Sequence, residues 1–579
     1  MLPRILISTL CLLVASCGGG GGSSGAPAQV DTTAPVISLQ GESSVVHPLG
    51  TAYVDPGATA TDAVDGTVAV TQSGTVADEE GTYTITYSAS DSSGNSSSIT
   101  RTVVVTGIPE ISKFSFLTVH NPSLSSDIDL TLGDGHITGR LEASAEVDNL
   151  VATIVHDGSE ITVEGVSQTD GVTANDYTYP LTYRLTSDSG FETTYSVDIT
   201  QFTGLPIIYL TTENNAPIES KEDYIEGRVS VDGWRDHPSL DEMDMKIRGR
   251  GNSTWFLHPK KPFQMKLDDK EEFLGMPNHK KWLFLAEYSD KTLLRNTIVF
   301  EMGYISSLDW TPASTFAEVF LNGEYNGTYN ITQKVEEADN RVALGDDGYL
   351  LEIDQLDRLD DDDVYISTEE FPVIAIKEPK LEWNDAKYAY IKSLITQFES
   401  KLFGANFADP DLGYARYIDI DSFIDWFLIN EIVKNQDSMS YSSIYLNVMP
   451  GEKIKMGPLW DFDLSFGNVD YSDATYAEGF WVRWNPWINR LLEDPVFANK
   501  VKARFAYYRD NESYILEKID QYAEKLKWAQ QENNNKWQTF GQYVWPNPVY
   551  FDSHDKEVAH LKSWYQSRMD WLDTALNNL

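Results

Sequence analysis

From Asp31 to about Gly107 apolar and polar residues alternate over short runs broken by Gly, Asp, Pro and Asn. GTYTITYSAS (81–90) and SSSITRTVVV (96–105) carry Thr, Tyr, Ile and Val at period two. That period marks strands with one buried face, and several short ones in series predict a β-sandwich over 31–107. A second set follows over 108–204: SKFSFLTV, LVATIVH, EITVEGV and TTYSVDIT alternate cleanly between turn clusters. They predict another sandwich. The register changes after Leu205. Asn-Gly pairs at 322–323 and 326–327 mark a hairpin whose strands carry Val319, Phe320, Tyr329 and Ile331. Beyond Leu412 helices dominate: DIDSFIDWFLINEIV sets Phe423, Phe427, Leu428 and Ile432 at helical spacing. HDKEVAHLKSWYQSRMDWLDTALNNL reads as a long amphipathic helix. The fold class predicted is multidomain, two all-β sandwiches followed by one large α/β (α+β) domain over 205–579.

The first thirty residues belong to no core. Residues 1–16 hold Arg4 and then an apolar run too short to span a bilayer, which predicts a signal peptide. Val14-Ala15-Ser16-Cys17 resembles a lipoprotein cleavage box, so Cys17 is the expected lipidation site. Residues 17–30 form a Gly/Ser-rich tether. Gly18, where an aspartate would signal inner-membrane retention, points to the outer membrane or cell surface. The two cysteines, Cys11 and Cys17, both precede the folded part, which removes disulfide and thiol chemistry from it. A formal charge of −44 offers no face for nucleic acid or anionic lipid. The membrane is then met only through the N-terminal lipid. An acidic surface does attract divalent cations.

Four clusters in 205–579 have the residues for chemistry. KIRGRGNSTWFLHPKKPFQMKL (246–267) offers Arg248, Arg250, Lys260 and Lys261 around Gly249 and Gly251. Such cations suit phosphate oxygens, and the same stretch also reads as a plain turn between strands. Asp290 precedes a predicted helix carrying Arg295 and Asn296, as cap or as ligand. Gln333 to Glu336 ends the hairpin with a polar contact or a counter-ion for a lysine. The sharpest cluster puts Asp437 after a helix, then two strands, then Asp461 and Asp463 in a WDFD turn. Carboxylates on an apolar-flanked turn are costly to bury unless a cation compensates. Magnesium completed by nucleotide phosphates would do so, with the upstream aspartate free to take a hydroxyl proton. A solvated acidic turn is the alternative. Asp55, Asp62 and Asp65, and the run Asp354–Asp363, offer calcium ligands or ordinary turn and loop acids. Trp481, Trp484, Trp487, Trp537 and Trp545 are either core or platforms for sugar rings.

APVISLQGESSVVHPLGTAYVDPGATATD, followed by DSSGNSSS, resembles a bacterial immunoglobulin-like repeat. RGNST, KKPFQMKL, SDKTLLRN, NGEYNGTYNITQ, YLLEID, IKEP, NQD and GPLWDFDLSFG, in that order, resemble the spore coat protein H (CotH) family from Leu205 to the C-terminus. The resemblance implies an atypical protein-kinase-like fold and phosphate transfer from ATP to serine. It implies that Asp461 holds magnesium with Asp463 as helper. Asp437 becomes the catalytic-loop aspartate, and Arg248, Arg250, Lys260 and Lys261 face the nucleotide. The chain departs from the family pattern at Gln333, where many members have Glu, and at Ser442-Ser443, where asparagine is frequent. The function expected is an ATP- and magnesium-dependent phosphotransferase acting on a protein or surface-polymer acceptor. Two alternatives stand beside it: a non-catalytic surface protein binding glycan or protein partners, and a metal-dependent enzyme acting on polysaccharide.

Overall fold

A computed structural model describes residues 30–578. The signal segment, Cys17 and the tether up to residue 29 lie outside the described residues. In the first β-rich unit a three-stranded sheet (Val36–Leu39, Ala58–Asp62, Gly66–Val68) faces a four-stranded one. Ile85, Tyr87, Val103 and Val105 fill the space between, as the period-two pattern requires. Arg101 is fully buried in this small core and pairs with Asp55. The second unit packs a six-stranded sheet on a four-stranded one around Phe114, Phe116, Tyr177 and Tyr183.

The third region begins with a closed barrel of seven strands: Ile207–Thr212, Ile225–Asp232, Leu240–Gly249, Phe263–Phe273, Met276–Leu285, Ser314–Leu321 and Glu324–Gln333. Closure comes from a parallel pairing of Ile207–Leu210 with Glu318–Leu321. Met245, Ile247, Met265, Trp282, Phe284 and Ile331 pack the interior, so the barrel is a core and not a channel. Asn322 and Gly323 both have positive φ (53° and 82°), the twist that a two-residue hairpin turn needs. Asn326-Gly327 lies inside the strand Glu324–Gln333 at an irregular register and is no turn.

After the barrel the chain builds a five-stranded sheet in the order Tyr365–Ile366, Ile374–Glu378, Tyr349–Ile353, Ile444–Val448, Lys455–Met456. Helices Ile420–Val433 and His554–Asn577 match the two periodic segments. Their apolar stripes share one core, in which Phe423, Phe427 and Ile432 meet Leu561, Met569 and Leu572. A fully buried ion pair, Arg568 to Glu431 at 2.5 Å, ties these helices together. Among the described residues no helix is long and apolar enough to cross a membrane.

Candidate active site

The helix Ile420–Val433 stops at Lys434, whose left-handed backbone (φ 47°) turns the chain toward Asp437. Lys434 Nζ donates to the carbonyls of Asp473, Tyr476 and Glu478 at 2.7–2.8 Å, which fixes that corner. Asn435 Nδ2 then donates to the backbone oxygen of Asp461 at 3.1 Å. This brings the two acidic segments side by side. Ser442 Oγ donates to Asp437 Oδ2 at 3.2 Å and Ser443 Oγ to Asp461 Oδ2 at 3.3 Å. The Ser442 and Ser443 hydroxyls are thus spent on orienting the two aspartates. The WDFD turn is held from below by Asn296 Oδ1, which accepts from Phe462 N at 2.8 Å. Glu287, Ser443 and Asp461 all take positive φ (48°, 60°, 65°). Such conformations cost of order 1–3 kcal/mol each in residues with a side chain and gather where function over-determines the backbone.

The electrostatics are unbalanced. Asp461 is exposed, and Asp463 lies half-buried beside it. Burial, then the charges of Asp461, Glu287 and Asp437, push the Asp463 carboxyl well above its ordinary range. Asp437 is pushed up to about 6 by burial and by Asp461, against the pull of Arg358. Two further carboxylates, neither singled out by the sequence reading, add to this. Glu287 is buried and raised by desolvation and Asp290, while Asn296 Nδ2 donates to it at 3.1 Å. Glu352 is buried and raised by desolvation, with Lys377 Nζ at 3.5 Å opposing. Both sit as single acids in apolar runs (WLFLAE, YLLEI), a signal that the sequence did contain.

The predicted cations divide. Arg250 reaches this cluster: its guanidinium lies 5.5 Å over the Trp460 ring and feels Asp461, Asp463 and Glu352. The expectation that Arg248, Lys260 and Lys261 face a nucleotide meets a different placement. Arg248 Nη1 donates to the Lys221 carbonyl at 2.5 Å and lies over Tyr224. Lys260 is buried, bonded to the Thr328 carbonyl and to Asn533 Oδ1 at 2.9 Å, with its ammonium pushed down to about 7 by desolvation. Lys261 Nζ donates to the Trp255 carbonyl at 2.5 Å. These three ammonium and guanidinium groups are used to pin backbone. Asp290 is not the N-cap of the helix Arg295–Tyr304, a position held by Leu294; from four residues further back it accepts from the Arg295 N–H at 2.8 Å and pairs with the Arg295 guanidinium. Gln333 accepts from Ala313 N at 2.9 Å, and the neighbouring Lys334 meets Glu336 at 3.7 Å.

At the rim Tyr471 stacks on Trp545, 5.9 Å apart and 8° from parallel. Tyr471 feels the charges of Asp437 and Asp463, which places the stack beside the acids. Of the five tryptophans read as core or platform, Trp487 is core, Trp484 is exposed, and Trp481, Trp537 and Trp545 are half-buried. Asp437, Asp461 and Asp463 do not form a closed three-acid cage. The described groups whose oxygens lie within 4.8 Å of one another are Asp31–Asp62–Asp91 and Asp360–Asp362–Asp363.

Residues 247–572 match the family model described as CotH kinase protein, and residues 37–105 match that of the bacterial surface protein, Ig-like domain. No curated protein matches the chain. Among solved structures, a lipoprotein of Bacteroides thetaiotaomicron is 13% identical, with 36% of this chain and 98% of that chain covered at a TM-score of 0.13. A structure of carbohydrate-binding (in complex with GlcNAc) and INT domains of Clostridium perfringens ZmpB is 17% identical, with 53% and 45% covered at a TM-score of 0.11. At these scores neither likeness bears on function.

Proposed function

Because the chain belongs to the CotH kinase protein family and carries a bacterial surface Ig-like domain ahead of that region, we propose that 205–579 is a divergent kinase-like phosphotransferase. It would move the γ-phosphoryl group of ATP to Ser, Thr or a surface polymer. The observation that carries this reading is the surplus of carboxylate at Asp437, Asp461, Asp463, Glu287 and Glu352, answered nearby by Arg250. Carboxyl groups crowded together, each raised by burial or by its neighbours' charge, would be relieved by a cation placed among them. Magnesium, when bound, would neutralise phosphate charge and hold the phosphates for in-line transfer.

The protein's own residues have distinct tasks. Asp461, exposed and steadied by Ser443, would hold the metal with help from Asp463. Arg250 would meet phosphate oxygens from the barrel side. Asp437 would accept the proton of the acceptor hydroxyl as its oxygen bonds to phosphorus and the bond to the ADP oxygen breaks. With its carboxyl at about 6, Asp437 is mostly ionised at pH 7 yet basic enough for that step. The Tyr471–Trp545 stack at the rim supplies a face for a planar ring. We place the protein at the cell surface as a lipoprotein through Cys17; Cys17→Ser should release it from the membrane fraction.

The test is magnesium-dependent ATP binding and phosphate transfer by the chain 18–579. Asp461→Ala should lose metal–nucleotide binding, and Asp437→Ala should lose turnover while binding is kept. Absence of both in the unaltered protein with magnesium, manganese or calcium would overturn the reading and favour glycan or protein binding.

A further inference from the structure

The first sandwich holds a second acidic site, far in sequence from the cleft. Asp31, Asp62 and Asp91 each offer a carboxylate oxygen, and these oxygens lie within 4.8 Å of one another. They come from three separate places: the segment before the first strand, the last position of the strand Ala58–Asp62, and the DSSGN turn. Each is aimed by its own loop. Asp31 Oδ1 accepts from Thr33 N at 3.0 Å, and Asp62 Oδ1 accepts from Val64 N and Asp65 N at 2.7 and 3.0 Å. Asp91 Oδ1 accepts from Ser93 N and Asn95 N at 2.9 and 2.8 Å, and Asn95 Nδ2 donates to its Oδ2 at 2.8 Å. The same amide reaches the Asp31 carbonyl at 3.1 Å, so the three loops are already drawn together.

What remains unanswered is the second oxygen of two of these acids. Asp62 is only 8% exposed, yet its Oδ2 is buried with no hydrogen-bond partner, and Asp31 Oδ2 is in the same condition. Three backbone donors hold the Asp62 carboxyl below its usual range, so it is charged. Arg101, the buried cation of this sandwich, is occupied by Asp55. Buried anionic oxygens without a donor are costly enough to demand a cation. Asp360–Asp362–Asp363 differs: two of its members are exposed, and Asp363 pairs with Lys380 at 3.1 Å.

We propose that Asp31, Asp62 and Asp91 form a calcium site that fastens the start of the first sandwich. Calcium takes six to eight oxygens in irregular geometry, which three loop carboxylates plus carbonyls and water can supply; magnesium demands a near-ideal octahedron. The sequence reading named Asp62 but grouped it with Asp55 and Asp65. Asp55 instead accepts from Tyr87 and Arg101, and Asp65 accepts from Ser92 N at 2.7 Å. Asp31 and Asp91 were missed because they are 60 positions apart in the chain.

The experiment is calorimetric titration of the metal-stripped chain 18–579 with CaCl2 and, separately, MgCl2. One saturable calcium site is expected, with Kd on the order of 10⁻⁴ M or tighter. Asp62→Asn should weaken it at least ~tenfold, while Asp461→Asn leaves it in place. Asp31→Asn, which alters a residue ahead of the first strand and outside the sheets, serves if Asp62→Asn does not fold. Retention of the calcium site in both Asp62→Asn and Asp31→Asn, or no saturable calcium binding at all, would overturn the assignment. Equal affinity for magnesium at the same site would overturn the choice of calcium.

Discussion

Replacing Asp437 by Asn should make the protein more stable while abolishing turnover. The folded carboxyl is raised from 3.8 to about 6, so the folded chain holds this proton more tightly than the unfolded chain does. Stability at this residue is therefore undiminished below pH 4 and falls as pH rises through 6. At neutral pH the ionised form costs about 3 kcal/mol, an upper figure because the side chain keeps some contact with water. The amide introduced by Asp437→Asn would keep an oxygen to accept from Ser442 Oγ and would carry no charge against Asp461. We therefore expect Asp437→Asn to gain about 1–3 kcal/mol at pH 7.5 in EDTA, shrinking to a few tenths at pH 4. Urea unfolding followed by tryptophan fluorescence is the assay. All fifteen tryptophans lie at or beyond Trp234, so the signal reports chiefly on the region that holds the site. Saturating Mg·ATP should stabilise parent and variant alike, since Asp437 is not needed for nucleotide binding. A variant that is no more stable than the parent at pH 7.5, or a gain that persists at pH 4, would refute the argument.

Arg568→Met leaves Glu431 charged and buried without its cation and should cost about 3–5 kcal/mol in the same urea assay; a loss under 1 kcal/mol would count against it. Arg250→Ala should weaken nucleotide binding about tenfold with stability little changed, whereas Lys260→Met should lower stability and spare nucleotide affinity. Gly249→Ala drives a Cβ into the Trp255 ring and should destabilise the barrel by about 1–3 kcal/mol, read as a lowered urea midpoint.

Local structure was legible wherever a short window decides it. Asn322-Gly323 made its turn, and two helices fell on the segments whose period announced them. The closed barrel was not legible, because closure depends on Ile207 finding Glu318 and no window contains both. The same limit governed the site. Asp437, Asp461 and Asp463 could be singled out from the burial cost of acids near apolar residues, and the structure draws their segments together. Which cation accompanies them could not: Arg250 and Lys260 look alike in sequence, and only the fold shows that Lys260 points into barrel backbone and Arg250 into the cleft. Glu287 and Glu352 belonged to strand-like apolar runs and were passed over as strand residues.

The pairing of the first barrel strand with the sixth also dictates an order of events during folding. As the chain emerges N-terminus first into the compartment where it folds, Ile207–Thr212 has no lasting partner on its open side until Ser314–Leu321 follows. Both sandwiches are complete by then, since their last strand ends at Gln201. Domains made first fold first, and late, long-range pairings are slow. For more than a hundred residues of growth the strand Ile207–Thr212 stays an open edge, tethered to finished sandwiches. An edge left open for that interval is a template on which another chain can pair.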